Sequence, residues 1–149
     1  MTCAPSRAVD LPPPDGIVID RPETAEDLRG LLAAQHVAFG EPAPDEEAVA
    51  RAAEGRELRL LARDAGTRLV VGGGVATVPA SATSEIAGIG VLPEYRRRGI
   101  AGALTSRLAR ELFAGGVTTA FLTPGDAGAH SVYARAGFAD TTEILHMST

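Results

Sequence analysis

Glu85-Ile86-Ala87-Gly88-Ile89-Gly90-Val91-Leu92-Pro93-Glu94-Tyr95-Arg96-Arg97-Arg98-Gly99-Ile100-Ala101-Gly102 reads as a strand, a proline-bounded loop with three arginines, and a helix that opens on small residues. Pro93 has no N–H to add to a sheet ladder, so the strand stops there and the loop amides are left free. The small residues Gly99, Ala101 and Gly102 let a ligand come close to the first helical turn. Four backbone N–H groups without intrahelical partners, and the positive end of the helix dipole, then point at one place. A pyrophosphate is the simplest anion to sit there. An arginine-rich loop on a solvated helix start is the bland alternative, and this stretch alone leaves both open.

Outward from that segment the chain reads as one α/β domain. Residues 1–15, MTCAPSRAVDLPPPD, are proline-rich without a period and are expected to be a disordered tail ahead of a domain over 16–149. Ile17–Ile19 make a short strand. Thr24 caps a helix with Leu28, Leu31, Leu32, Gln35 and Phe39 at helical spacing, and a second, acidic helix runs from Asp45 to Gly55. Strands are expected over 58–63 and 68–78, joined by a hairpin turn at Asp64–Thr67, and over 84–92. An amphipathic helix follows over 99–114, then a fifth strand over 117–123, a short helix over 127–136 and a last strand over 138–147. Gly72, Gly74 and Thr77 echo a dinucleotide-binding loop, but Pro79 and a turn follow where that motif needs a helix. The triple glycine is better read as a strand that a ligand or another backbone approaches closely.

Composition narrows the function. All 14 basic residues are arginine, which excludes Schiff-base lysines and the Walker A lysine. A single Cys3 and three histidines without ligand spacing exclude a disulfide scaffold and structural zinc, so no metal is expected and a reducing cytoplasm is the expected location. No apolar run approaches the roughly 20 residues that span a bilayer, so no membrane partner is expected. Residues 1–57 carry twelve acids against five arginines, whereas 58–149 carry seven against nine. The net charge of −5 argues against nucleic acid as the partner.

Arg96, Gly99 and Ala101 match the [QR]-x-x-G-x-[GA] motif of the acetyl-CoA-dependent GNAT N-acetyltransferases. Val91 and Pro93 match the V-x-P that precedes it, and Tyr133, Gly137 and Phe138 the later Y-x-x-x-G-F. With the strand order above, the chain resembles that superfamily over residues 16–148. The resemblance implies a mixed, mostly antiparallel sheet flanked by about four helices, its fourth and fifth predicted strands splayed to admit the pantetheine arm of acetyl-CoA. Ile89, Gly90 and Val91 would present backbone groups to that arm, and Arg96, Arg97, Arg98, Gly99, Ile100, Ala101 and Gly102 would hold the pyrophosphate. Asp126 stands where many members have an asparagine that contacts the pantetheine, and an aspartate donates no hydrogen bond.

For chemistry, the resemblance implies acetyl transfer to a primary amine of a small molecule or peptide, by direct attack in a ternary complex. Val91 N–H would steady the oxyanion, Tyr133 would protonate the departing thiolate, and Glu85, set by alternation on one strand face with Ala87, Ile89 and Val91, is the candidate base. The acids Glu41, Asp45, Glu46 and Glu47 hint at a cationic acceptor. A non-catalytic acyl-CoA-binding module is the alternative, encouraged by Asp126. Oligomeric state, a homodimer included, stays open.

Overall fold

Ile17 and Ile19 are buried while Val18 and Asp20 are exposed, the two-residue period of a half-covered strand. The helix over Ala25–Ala38, by contrast, buries Leu28, Leu31 and Leu32 at helical spacing. The computed structural model describes residues 1–140, in the order β1 (Thr2–Cys3), β2 (Ile17–Asp20), α1 (Ala25–Ala38), α2 (Glu46–Glu54), β3 (Leu58–Asp64), β4 (Val70–Ala76), β5 (Thr83–Val91), α3 (Ile100–Ala114), β6 (Thr119–Phe121) and α4 (Ala127–Arg135). The sheet runs β1-β6-β5-β4-β3-β2. Among the described residues only the β5–β6 pair is parallel. The expected α/β architecture therefore holds, and from β2 to α4 the elements follow the expected order, with β1 an addition ahead of them. Most of the expected strand over 138–147 lies outside the described residues, although Ala139 bridges Thr2.

Two apolar layers flank the sheet. On one face Leu28, Leu31 and Leu32 pack with Val49 of α2 and with Leu61 and Val70. On the other, Ile100, Leu104 and Leu108 of α3 pack against Leu60, Val71 and Ile86. Leu60 and Leu61 thus enter opposite layers, as alternation along a fully buried strand demands.

The triple glycine serves this packing. A β-carbon at Gly73 would stand 2.8 Å from Leu31 Cγ of α1, and one at Gly74 would meet Ile89 and stand 3.0 Å from Leu108 Cδ1 of α3. Helices, not a ligand, make the close approach. Gly74→Ala should cost about 1–3 kcal/mol through overpacking, read as a lower urea midpoint at unchanged slope.

The tail expected over residues 1–15 is instead ordered. Cys3 is 1 % exposed, and β1 pairs with β6 through Thr2↔Phe121 and Cys3↔Ala120. Its partners lie more than a hundred residues away in sequence, which local composition cannot register.

Candidate functional site

Pairing between β5 and β6 covers Thr83–Glu85 against Thr119–Phe121 and stops. Beyond it, among the described residues, Ile86–Val91 continue beside β4 alone, so one edge of β5 carries ladder groups that β6 does not meet. A cavity of about 660 Å³ fills the gap, with Glu85, Ile89, Val91, Leu122 and Tyr133 among its walls. A second, of about 760 Å³, lies over the start of α3. Val91, Arg96, Ala101, Asp126 and Val132 line both, which makes them one cleft. The hollow of about 850 Å³ on the α1 face is less suited to a ligand: Arg63 and Asp27 within it are paired at 2.7 Å, and Thr24 caps the helix end beside it.

Which β5 groups face the gap follows from the ladder. Leu92 N–H donates to Val71 O at 2.8 Å, so alternation turns the Gly90 peptide groups toward β4 and those of Ile89 and Val91 toward the gap. The Val91 carbonyl there accepts from Arg96 Nε at 3.2 Å, leaving its N–H on the cleft edge. Gly90 lines the gap as well, with its N–H and C=O turned toward β4; its missing side chain also makes room for α1, since a β-carbon would stand 2.8 Å from Ala38 Cβ.

At the far end, α3 is unlike its neighbours. Thr24, Asp45 and Asp126 cap α1, α2 and α4 with side-chain oxygens, whereas the N-cap of α3 is Gly99, in left-handed backbone at φ 89°, with no cap bond. The N–H groups of Gly99, Ile100, Ala101 and Gly102 are therefore left to a ligand. The three arginines divide their work. Arg96 ties the loop to Val91 O and Ala38 O. Arg98 donates to Glu94 O and stacks 4.9 Å above the Tyr95 ring. Arg97, at φ 63°, faces the cavity over the α3 start and makes no hydrogen bond or ion pair among the described residues. Arg97→Gly should thus separate strain from binding. Stability should hold or rise by up to about 1 kcal/mol as a left-handed position gains glycine, while CoA affinity falls about five-fold and loses salt dependence. Calorimetry and thermal unfolding check the two halves.

A profile of the acetyltransferase (GNAT) family matches residues 25–138. The chain belongs to that family. The family uses acetyl-CoA as co-substrate. The chain is similar to a GCN5-related N-acetyltransferase from Kribbella flavida (26% identity, TM-score 0.70, 93% of this chain and 52% of that one). It is also similar to one from Sphaerobacter thermophilus (25% identity, TM-score 0.75, 91% and 45%). It thus spans about half the length of these two. A third similar structure is the ribosomal-protein-S18-alanine N-acetyltransferase from Escherichia coli (26% identity, TM-score 0.65, 84% and 79%). No curated protein sequence matches the chain.

Within this GNAT cleft Tyr133 and Glu85 line the same cavity. The half-buried Tyr133 phenol makes no hydrogen bond among the described residues, and burial, with the Asp126 carboxylate adding to it, pushes its pKa up. Asp126 Oδ1 accepts the Ala129 N–H at 2.7 Å, so this carboxylate caps α4 while lining both cavities.

Glu85 departs from the expected alternation. Gly73↔Gly90 is followed by Val75↔Ala87, so β5 carries one extra residue, a bulge at Gly88 (φ 62°). A β-carbon at Gly88 would meet Gln35 of α1, and one at Gly74 meets Ile89 and Leu108. Glu85 and Ala87 therefore face the α1 side, while Ile89 and Val91 face α3. The carboxylate opens onto the gap from the opposite sheet face to Ile89 and Val91.

Two residues that hold this geometry escape a motif search. Gln35, 7 % exposed, donates from Nε2 to Gly88 O at 2.7 Å and pins the bulge to α1. A polar residue at an apolar helical position is its only signal in the sequence. Tyr95 Oη donates to Asp64 Oδ2 at 2.7 Å, anchoring the arginine loop to the β3–β4 hairpin. The acids expected to meet a cationic acceptor have partners of their own: Glu46 pairs with Arg29, Glu47 with Arg51, Asp45 caps α2, and Glu41 lies 3.9 Å from His36 Nδ1.

Proposed function

We propose that the chain moves an acetyl group from the CoA thioester to a primary amine of a small molecule or a peptide, within a ternary complex. The observation that carries this reading is the end of β5–β6 pairing at Glu85/Phe121, in a gap that shares lining residues with the cavity over the start of α3, a helix without a side-chain cap. Pantetheine amides can complete the open edge of β5 as an added strand would. The N–H groups of Gly99–Gly102 and the Arg97 guanidinium would take the pyrophosphate.

The chain's own groups then divide the reaction. An amine at neutral pH is mostly ammonium, so a base must remove a proton before nitrogen attacks. Glu85, half-buried at the α1 side of the gap, would do so directly or through a water. Val91 N–H would donate to the thioester oxygen as it gains negative charge. Tyr133 would hand its proton to the departing sulfur, from a phenol that stays protonated at neutral pH. Acceptor entry would be from the α1 side, between Phe39 and Glu85, which both line the gap. The E. coli enzyme's name points to a peptide α-amine as one acceptor class. Glu85 lines the gap whereas Glu46 and Glu47 do not, so a cationic acceptor would meet Glu85 rather than the α2 acids.

Thiol release from acetyl-CoA, corrected for hydrolysis, against amino acids, polyamines, aminoglycosides and N-terminal peptides tests the proposal. Amine-dependent release supports an enzyme. CoA binding without release from any amine would leave the acyl-CoA-binding module.

A further inference from the structure

We propose that residues 1–12 form a strap that walls the nucleotide end of the donor cleft, with Ser106 as the positioning residue that sets it. The inference rests on the acetyl-CoA reading above and extends it to a segment outside the family match, which begins at residue 25.

The strap is anchored along its length. At its start β1 joins β6, and Thr2 exchanges backbone hydrogen bonds with Ala139, both at 2.9 Å. Further on, the Arg7 backbone lies where a β-carbon of residue 137 would be, a space left open by Gly137 at φ 105°. Val9 N–H donates to Ala136 O at 3.1 Å. The last anchor is a side chain. Ser106 of α3, 1 % exposed, accepts the Leu11 N–H at 2.9 Å and donates to Val9 O at 2.8 Å. One buried hydroxyl thereby satisfies a donor and an acceptor of the strap at once, at a helix position that an apolar residue would otherwise fill.

This clamp delivers Leu11 to the first turn of α3. Leu11 Cδ1 stands 3.3 Å from where a β-carbon on Gly102 would be, with Val132 of α4 at 3.7 Å on the same spot. Gly102 is therefore small so that strap and α4 can close over it. Leu11 and Pro12 then line the cavity over the helix start, together with Arg97 and Arg135. Apolar walls beside two guanidinium groups suit a nucleoside phosphate, whose flat base needs apolar contact and whose phosphates need paired donors. The thioester arm enters the other cavity, which neither Leu11 nor Pro12 lines. The strap should accordingly govern the nucleotide end and leave the pantetheine end alone.

Calorimetric dissociation constants for CoA, adenosine 3′,5′-bisphosphate and 4′-phosphopantetheine, measured on the full chain and on Leu11→Ala and Ser106→Ala, test this. Both variants should weaken CoA and the bisphosphate together by about five- to ten-fold, the loss of one apolar anchor at a ligand, and leave 4′-phosphopantetheine within two-fold. Leu11 is a half-buried surface contact, so its variant folds even if Ser106→Ala lowers the melting temperature. Equal weakening of all three ligands, or of none, would overturn the strap's role. Failure of the unaltered chain to bind CoA at all would overturn the donor reading and the strap with it.

Discussion

Tyr133→Phe should lower turnover by about 10² to 10⁴, the usual worth of a positioned general acid, while leaving the fold and CoA affinity within about 1 kcal/mol. The substitution keeps a ring that packs against the core on the α3 side of the sheet and removes an oxygen that bonds nothing among the described residues. A merely structural phenol would give the opposite pattern, lost melting temperature with retained rate. The pH profile sharpens the distinction. Burial and Asp126 raise the phenol's pKa above its ordinary value, so the proton-bearing form persists at neutral pH and declines only at alkaline pH. The wild-type rate should therefore lose activity on an alkaline limb that is absent from Tyr133→Phe.

Gly99→Val should weaken CoA binding ten-fold or more. Among the described residues, no atom beyond its chain neighbours lies within 4 Å of a β-carbon at this position, so the β-carbon of a valine meets no clash inside the fold. It would project over the uncapped N–H groups of α3 where phosphate must approach. The backbone penalty is separate, since φ 89° is a region that β-branched residues avoid at about 1–3 kcal/mol. Gly16→Val supplies the matched control. Gly16 has φ 82° and equally open surroundings, but it lines neither cavity of the cleft. Both variants should lose similar stability by thermal unfolding, and only Gly99→Val should lose CoA.

The contrast between these sites and the strap shows what a sequence carries. Pro93, Gly99 and Gly102 act within a few residues of one another, so the loop and the α3 start could be read from local chemistry. The hairpin turn was equally legible, because Asp64 Oδ1 accepts the N–H groups of Gly66 and Thr67 at 2.8 and 3.2 Å. The bulge at Gly88 was not, because it is held by Gln35 from another helix, and strict alternation then placed Glu85 on the wrong face. Gly72–Gly74 carried a packing requirement that resembled a ligand loop. Cys3, Leu11 and Ser106 were illegible for the same reason: proline-rich composition signals a lack of local order, and their order comes from β6, α3 and α4 instead.

The central claim is that CoA lies in the splayed cleft with its pyrophosphate on the start of α3. Titrating the isotope-labelled protein with CoA and following backbone amide shifts by NMR tests it most directly. The largest shifts should fall at Arg97–Gly102, with a second group at Ile89 and Val91, and Gly99→Val should abolish the first group at the same ligand concentration. Shifts centred on the hollow beside Asp27 and Arg63, with the Gly99–Gly102 amides unmoved at saturation, would contradict the account.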